Sequence, residues 1–461
     1  MNLETIYNKL PITAQNIACS FYGFKEARIR YSKSFYRYLD WLSETEKWDQ
    51  TEINAYQDEK LKELIKYAFK YVPYYRNIMK ERGLQPVDIQ RKEDLYKLPI
   101  LTKEIVREHK NELLSEIYSK NEFIPLHTSG TTGKSLHFYS TKDALAFQWA
   151  IWWRHRRRFG IDLDDWHVNF TGKLVVSPVQ NKPPYWRWNY PFRQAIMPMH
   201  HLIPDKIQYV NHFLNEHNFK YYSGYPSVIH AMVISAMDRN LPLAKPPAVI
   251  TTGAENMLEY QKKDIQSYTG SFITDQYGFR EGCGNASKCK SGIYHEDVEY
   301  GIIECINPVM NENGCLSGKI VCTGFSNFAF PFIRYEVGDY GIWYEKNTAC
   351  DCGLHSRKLH RIEGRMDDYV ITPEGRHIMR FDYIFKETYN VKEAQIIQKK
   401  QGEIIVKVVR RNGYSQRDEA YIRNEIKRWI SPALSVIFEY SDEIERGSHG
   451  KFKAVLNLMD K

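Results

Sequence analysis

The sequence predicts an α/β protein built as a large amino-terminal domain, residues 1–366, followed by a small α+β domain, residues 367–461. Three observations predict this. A chain of 461 residues exceeds what one core normally holds, so two or three domains are expected. Short apolar runs alternate with helical patterns through the middle of the chain, as in a sheet flanked by helices. After Asp368 the pattern becomes strand–strand–helix–strand over about a hundred residues, the size of a small domain.

Residues up to about 120 read as helical. Leu61, Leu64, Ile65 and Ala68 recur at helical spacing, and Pro73 closes that helix. Thr102 can cap another helix with Glu104 in its first turn. Residues 145–160 form a further helix in which Trp149, Trp152 and Trp153 precede the basic run Arg154–Arg158. The plainer reading is an aromatic stripe on the core with a solvated basic face; the sharper one is a wall of an acyl pocket. Lys173–Val176 and Ala248–Thr252 read as buried strands. Segment 300–345 is strand-rich, with turn signals at Asn311–Gly314 and Gly338-Asp339. Ala394–Gln398, Glu403–Val409 and Ser435–Tyr440 read as strands, with Arg417–Ile430 an amphipathic helix carrying Ile422, Ile426 and Ile430 on one face.

Hydrophobic content of 43% and charged content of 26% suit a soluble globular protein. A net charge of +8 is modest at this length and does not call for nucleic acid. Neither a signal-peptide pattern nor an apolar run of spanning length is found, so a cytoplasmic protein without membrane insertion is expected; a homodimer is left open. Seven of the eight cysteines fall between Cys283 and Cys352, and such clustering in a cytosolic chain points to metal before disulfides.

Six patches bear on chemistry. The run Thr128-Ser129-Gly130-Thr131-Thr132-Gly133-Lys134 can set backbone N–H groups and hydroxyls against a polyphosphate, yet lacks the Walker A spacing. Thr252-Gly253-Ala254-Glu255 follows a strand, where glycine admits a ligand close to the backbone. Tyr277-Gly278-Phe279-Arg280-Glu281 sets an aromatic face beside a carboxylate able to hold Mg²⁺. Ile333–Asp339 ends in a carboxylate suited to ribose hydroxyls. Gly364-Arg365-Met366-Asp367-Asp368 sits at the domain boundary, and Lys451 lies in a Gly/Ser-rich loop near the end. Each has a mundane alternative as a turn former, linker or solvated charge; their common order is what argues for a shared site.

On these patches the chain resembles the adenylate-forming (acyl- and aryl-CoA synthetase-like) ligases. Within them it is most similar to the phenylacetate–CoA ligase branch and its CapK-type members. Tyr7–Pro11, Val72–Arg76 and Leu98–Lys103 belong to the likeness, which spans essentially the whole chain. The resemblance implies that Thr128–Lys134, with Thr132 among the catalytic residues, holds the β- and γ-phosphates of ATP. It implies Mg²⁺ on Glu281, adenine on Tyr277 and Gly278, Thr252, Gly253, Ala254 and Glu255 along the nucleotide, ribose on Asp339, and Arg365 near ribose or α-phosphate. Lys451 would bridge the carboxylate and α-phosphate, and Asp367 would be the hinge of the small domain. Arg280 departs from the family's hydroxyl residue at that place; it replaces a phosphate contact or turns to an acidic acyl substrate.

Cys289, His295, Cys350 and Cys352 satisfy tetrahedral zinc, with Cys283 and His360 as competing ligands. Zinc-bearing relatives in the same branch strengthen that expectation, and the site would be structural.

The leading expectation is therefore an enzyme: a carboxylic acid, sugar-linked or not, reacts with ATP to give an acyl-adenylate and pyrophosphate. The acyl group then passes to coenzyme A or an amine, in surface or capsular polysaccharide synthesis. An aryl-CoA ligase of aromatic acid metabolism is the alternative, and a non-catalytic binding protein of the same fold a second. A phosphotransferase of the Walker A type fails on loop spacing. The run Arg154–Arg158, Arg280, Trp186 and Trp188 favour a polar, anionic or sugar-like acid over a fatty chain.

Overall fold

Helix signals in the first hundred residues do what their chemistry dictates. Asp49 caps helix Gln50–Tyr71 through a capping box with Glu52, and Leu61, Leu64, Ile65 and Ala68 are buried along one face. Pro73 separates that helix from Pro73–Glu81, where proline takes the first helical position because no N–H is needed there. Thr102 caps Lys103–Glu108 by accepting from the Ile105 N–H at 3.4 Å. The computed structural model describes residues 3–128, 136–310, 314–344, 350–365, 369–373, 377–378, 382–385, 388, 390–446 and 452–459.

Among the described residues a twelve-stranded mixed sheet forms the backbone of the large domain. Its centre is five parallel strands: Gln194–Pro198, His167–Thr171, Tyr221–Gly224, Val249–Gly253 and Phe272–Gly278, side by side in that order. Helices Ile207–Glu216, Pro226–Asp238 and Glu259–Thr269 connect them and bury their apolar faces in a core of Val168, Phe170, Val228, Ile229, Ile250 and Ile265. The sheet then continues antiparallel through Asn285–Lys288, Tyr294–Glu296, Lys358–Arg365, Tyr335–Tyr344, Cys315–Gly324 and Gly301–Met310.

The small carboxy-terminal domain is a four-stranded sheet in the order Ser435–Tyr440, Glu403–Arg410, Val391–Lys400, Val455–Asn457. Helix Gln416–Trp429 covers it with Ile422 and Ile426 buried, as the spacing predicts.

Three expectations need correction. Lys173–Val176 is not a strand; the strand is His167–Thr171, whose residues are buried or half-buried between two parallel neighbours. Gly338-Asp339 is not a turn but lies inside Tyr335–Tyr344, where Gly338 at φ +88° forms a bulge opposite Lys319–Val321. Arg154 is not part of a solvated face. It is 4% exposed, and its guanidinium pairs with Asp297 and Glu299 at 2.6 Å each. Arg158 pairs with Glu46 at 2.6 Å. Trp153 faces the core as the plainer reading has it, but two of these arginines are structural.

Removing one partner from such a buried network leaves carboxylates uncompensated. Arg154→Ala is expected to destabilise the fold by about 3–5 kcal/mol in chemical denaturation. Beside it, burial, then the Arg158 and Arg156 charges, holds His155 down to about 3; burial and Arg156 do the same to His167. Both rings stay neutral in the native state while the unfolded chain takes up protons below about pH 6.5. Their contribution is therefore complete above that pH and lost as pH falls towards 3, so a pH series of unfolding midpoints is expected to drop across that window. His155→Gln is expected to flatten the drop.

Candidate active site and metal centre

The site is assembled at the carboxyl ends of the parallel strands, where open α/β sheets place ligands. Thr252 and Gly253 end one strand, and Tyr277 and Gly278 end its neighbour, with Gly253 opposite Gln276. The Thr252 hydroxyl donates to Asp275 at 3.2 Å. Ala254 adopts φ +66°, a conformation that costs a non-glycine residue energy and that clusters at ligand sites.

Three long-range bonds tie the patches together. Tyr277 Oη donates to Asp339 Oδ2 at 2.8 Å. Burial, then the Asp339 charge, pushes that phenol far up, so it remains a donor at any working pH. Tyr335 Oη donates to Glu281 Oε1 at 2.8 Å, and Glu281 is 7% exposed. Asp339 also stands directly across the strand pair from Arg365, whose backbone ends Lys358–Arg365. The segment Leu98–Lys103 docks alongside: Leu101 exchanges backbone bonds with Arg334 and Glu336 at 2.9 and 3.0 Å. Tyr75 braces the same region by donating to Pro331 O at 2.8 Å.

The small domain reaches this cluster through its last segment. Phe452 N donates to Glu255 Oε1 at 2.7 Å, while the Ser227 N–H donates to Oε2 at 3.2 Å. A second strut joins Arg411 to Asp264 at 2.6 Å, and Asp264 also meets His230 at 2.8 Å. Tyr260 of the large domain is buried in the small domain's core.

Of the residues expected from the sequence, Thr252, Gly253, Ala254, Glu255, Tyr277, Gly278, Glu281 and Asp339 are thus brought together. Thr128 pairs with Leu136 at the base of the hairpin Ile124–His127 and His137–Ser140, whose Leu126 and Phe138 share a core with Tyr335 and Val337. Ser129, Gly130, Thr131, Thr132, Gly133, Lys134, Asp367, Lys451 and the Arg365 side chain lie outside the described residues. Sequence reasoning missed Tyr335 as the support of Glu281 and Phe452 as the tether on Glu255. Tyr335 sits inside the Ile333–Asp339 patch, but nothing local marks its partner 54 positions away.

The four expected zinc ligands converge. One donor atom from each of Cys289, His295, Cys350 and Cys352 lies within 4.8 Å of every other. Cys289 Sγ is 3.9 Å from Cys350 Sγ, near the separation of about 3.8 Å that two 2.3 Å zinc–sulfur bonds impose in a tetrahedron. His295 Nδ1 is 3.2 Å from the Ser356 carbonyl oxygen, which leaves Nε2, 3.4 Å from Cys352 Sγ, facing the thiols. That is the outer-shell arrangement that orients a metal-binding imidazole. The competitors drop out: Cys283 is buried in the core with Cys322, and His360 meets Tyr344.

Together the mixed sheet, the strand-end cluster and the small domain seated on it define the fold of the adenylate-forming CoA ligases. A 2-hydroxyisobutyryl-CoA ligase in its postadenylation state matches with a TM-score of 0.69 at 16% identity, over 89% of this chain and 91% of that one. The chain is CapK-like: it is 25% identical to Protein CapK of Staphylococcus aureus over 99% of both chains, and residues 370–458 match the CapK C-terminal domain family. It is also 26% identical to a phenylacetate-coenzyme A ligase of Thermus thermophilus, over 71% of this chain and 74% of the relative. No helix among the described residues is long and apolar enough to cross a membrane.

Proposed function

We propose that the protein is an ATP-dependent, AMP-forming carboxylate ligase. A carboxylate oxygen attacks the α-phosphorus of ATP, the bond to pyrophosphate breaks, and the acyl-adenylate then gives its acyl group to the thiol of coenzyme A or to an amine. The observation that carries this reading is the tether of Phe452 to Glu255, which sets the residue after Lys451 beside the Thr252–Glu255 motif.

Each residue has a physical part in this reading. Tyr277 and Gly278 flank the adenine, with Asp339 towards the ribose and Arg365 towards ribose or α-phosphate. Thr128–Lys134, including Thr132, faces the β- and γ-phosphates. Lys451 meets negative charge growing on the α-phosphate, and Asp367 lets the small domain turn for the second step. Glu281 fits Mg²⁺, because a buried carboxylate fixed by Tyr335 on one oxygen is pre-oriented for a cation. Bound there, Mg²⁺ would supply charge neutralisation on the leaving pyrophosphate.

Similarity to Protein CapK runs the full length of the chain, and the name of that relative suggests a capsular setting, whereas the phenylacetate-coenzyme A ligases match about 70% of the chain. The test is pyrophosphate release from ATP across a library of carboxylic acids, with and without coenzyme A or amines. Acid-dependent release, with product formation on one acceptor, is expected. ATP turnover to ADP, or none with any acid, would end this reading.

A further inference from the structure

We propose that helix Ile12–Arg30 is a docking face for an anionic membrane surface, lying along the headgroups with Ile17, Phe21 and Phe24 turned into them.

The helix is amphipathic in the inverted sense. A helix on the surface of a globular domain normally buries its apolar stripe and shows its polar one to water. Here the buried residues are Gln15 and Gly23. Gln15 accepts from Arg187 Nε at 2.6 Å, and Asn16 accepts the Trp188 N–H at 3.0 Å. A Cβ on Gly23 would collide with the side chain of Asn189. The inner face is thus fixed along strand Arg187–Asn189 by polar bonds and close approach. Ile17, Phe21 and Phe24, spaced at i, i+4 and i+7, form one outer stripe and are 66%, 75% and 49% exposed. Tyr22 is exposed on the same helix, and exposed Tyr190 is held against it by donating its N–H to Ser20 Oγ at 3.3 Å. Single apolar side chains in water are ordinary, but a group of large ones on and beside one anchored helix marks an interaction surface. Turning the helix to hide them would break the Gln15 and Asn16 bonds.

Charge says what covers this face. Arg28 continues the outer stripe, its guanidinium 4.4 Å over the Phe24 ring, and Lys25 lies next to Phe24. From residue 6 to residue 37 six lysines and arginines stand against a single acid, Glu26, which is paired with Arg30 at 2.9 Å. Lys9, Lys25, Arg28, Lys33 and Arg37 are all exposed. Aromatic and aliphatic side chains on one stripe, edged by lysine and arginine, suit a helix lying in a headgroup layer, where apolar area and attraction to anionic lipid act together. Protein interfaces are instead depleted of lysine. A second copy would present the same surface patch, and so bring these cations together across a two-fold axis. The helix is too polar to cross a bilayer, so it would rest on one.

The test is sedimentation of the full-length protein with vesicles of equal parts phosphatidylglycerol and phosphatidylcholine, and with vesicles of phosphatidylcholine alone. Partition into the anionic vesicles is expected to be stronger by about tenfold or more, and to weaken as salt is raised. The double variant Phe21→Ser with Phe24→Ser, and separately Lys25→Glu with Arg28→Glu, are each expected to lower that partition by about tenfold or more. Their unfolding midpoints are expected to stay at the parental value, because the altered side chains are exposed. No binding to either vesicle, equal partition into both, or partition unmoved in either variant overturns the proposal. Self-association of the parent without vesicle binding, lost in the phenylalanine variant, would give the face to a second copy and overturn it equally.

Discussion

Replacing Lys451 with alanine is expected to lower acid-dependent pyrophosphate release by about 10²–10³, the loss typical for removing one donor aimed at developing charge. The unfolding midpoint is expected to stay close to that of the parent protein. In the proposed first half-reaction no covalent enzyme intermediate forms. Negative charge instead gathers where carboxylate, α-phosphate and leaving pyrophosphate meet, and a cation placed there acts only in the transition state. The support for this expectation is the neighbouring residue: Phe452, next after Lys451, is bonded to Glu255 at 2.7 Å. Burial holds the Glu255 carboxyl above its usual range, although the Phe452 and Ser227 N–H groups oppose the shift. Glu255→Gln keeps an acceptor oxygen and is expected to be milder than Lys451→Ala. Pyrophosphate release at the parental rate in Lys451→Ala would refute the role given to that lysine.

What was legible in the sequence is local chemistry; what was not is partnership over distance. Tyr277, Gly278, Glu281 and Asp339 announce themselves because an aromatic face, a bare backbone and carboxylates sit within a few residues of strand ends. The sequence misplaces Arg154 because a basic run on a helix looks solvated. Its burial depends on Asp297 and Glu299, which lie 143 and 145 positions away. Gly338 reads as a turn because Gly-Asp is a turn signal; a bulge within a strand makes the same demand on φ. Lys173–Val176 was apolar enough for a strand, but His167–Thr171 two residues earlier fills the place between two parallel partners. Spacing leaves Cys283 and His360 as rival zinc ligands; the antiparallel pairing of Asn285–Lys288 with Tyr294–Glu296 brings Cys289 to His295, while Cys283 packs in the core with Cys322 and His360 meets Tyr344.

That pairing also sets the second large effect. The purified protein is expected to carry about one equivalent of zinc, and its removal by a strong chelator is expected to lower the unfolding midpoint by roughly 5–10 °C. Cys289→Ser and Cys352→Ser are expected to abolish metal content, whereas Cys283→Ser, a core residue, is expected to retain it. The thiols must lose their protons to bind the metal, so occupancy should fall as pH is lowered. In the proposed function the consequence extends to nucleotide binding. Strand Asn285–Lys288 pairs with Phe272–Gly278 so that Ala286 opposes Tyr277 and Asn285 opposes Gly278. Cys289 directly follows that strand, and the metal would fasten it to the loop carrying Cys350 and Cys352. Without that fastening the strand that backs Tyr277 is free to fray from its end, so ATP affinity is expected to fall together with stability. Metal analysis well below one equivalent, or an unfolding midpoint indifferent to chelation, would show that the four ligands are packed side by side for another reason.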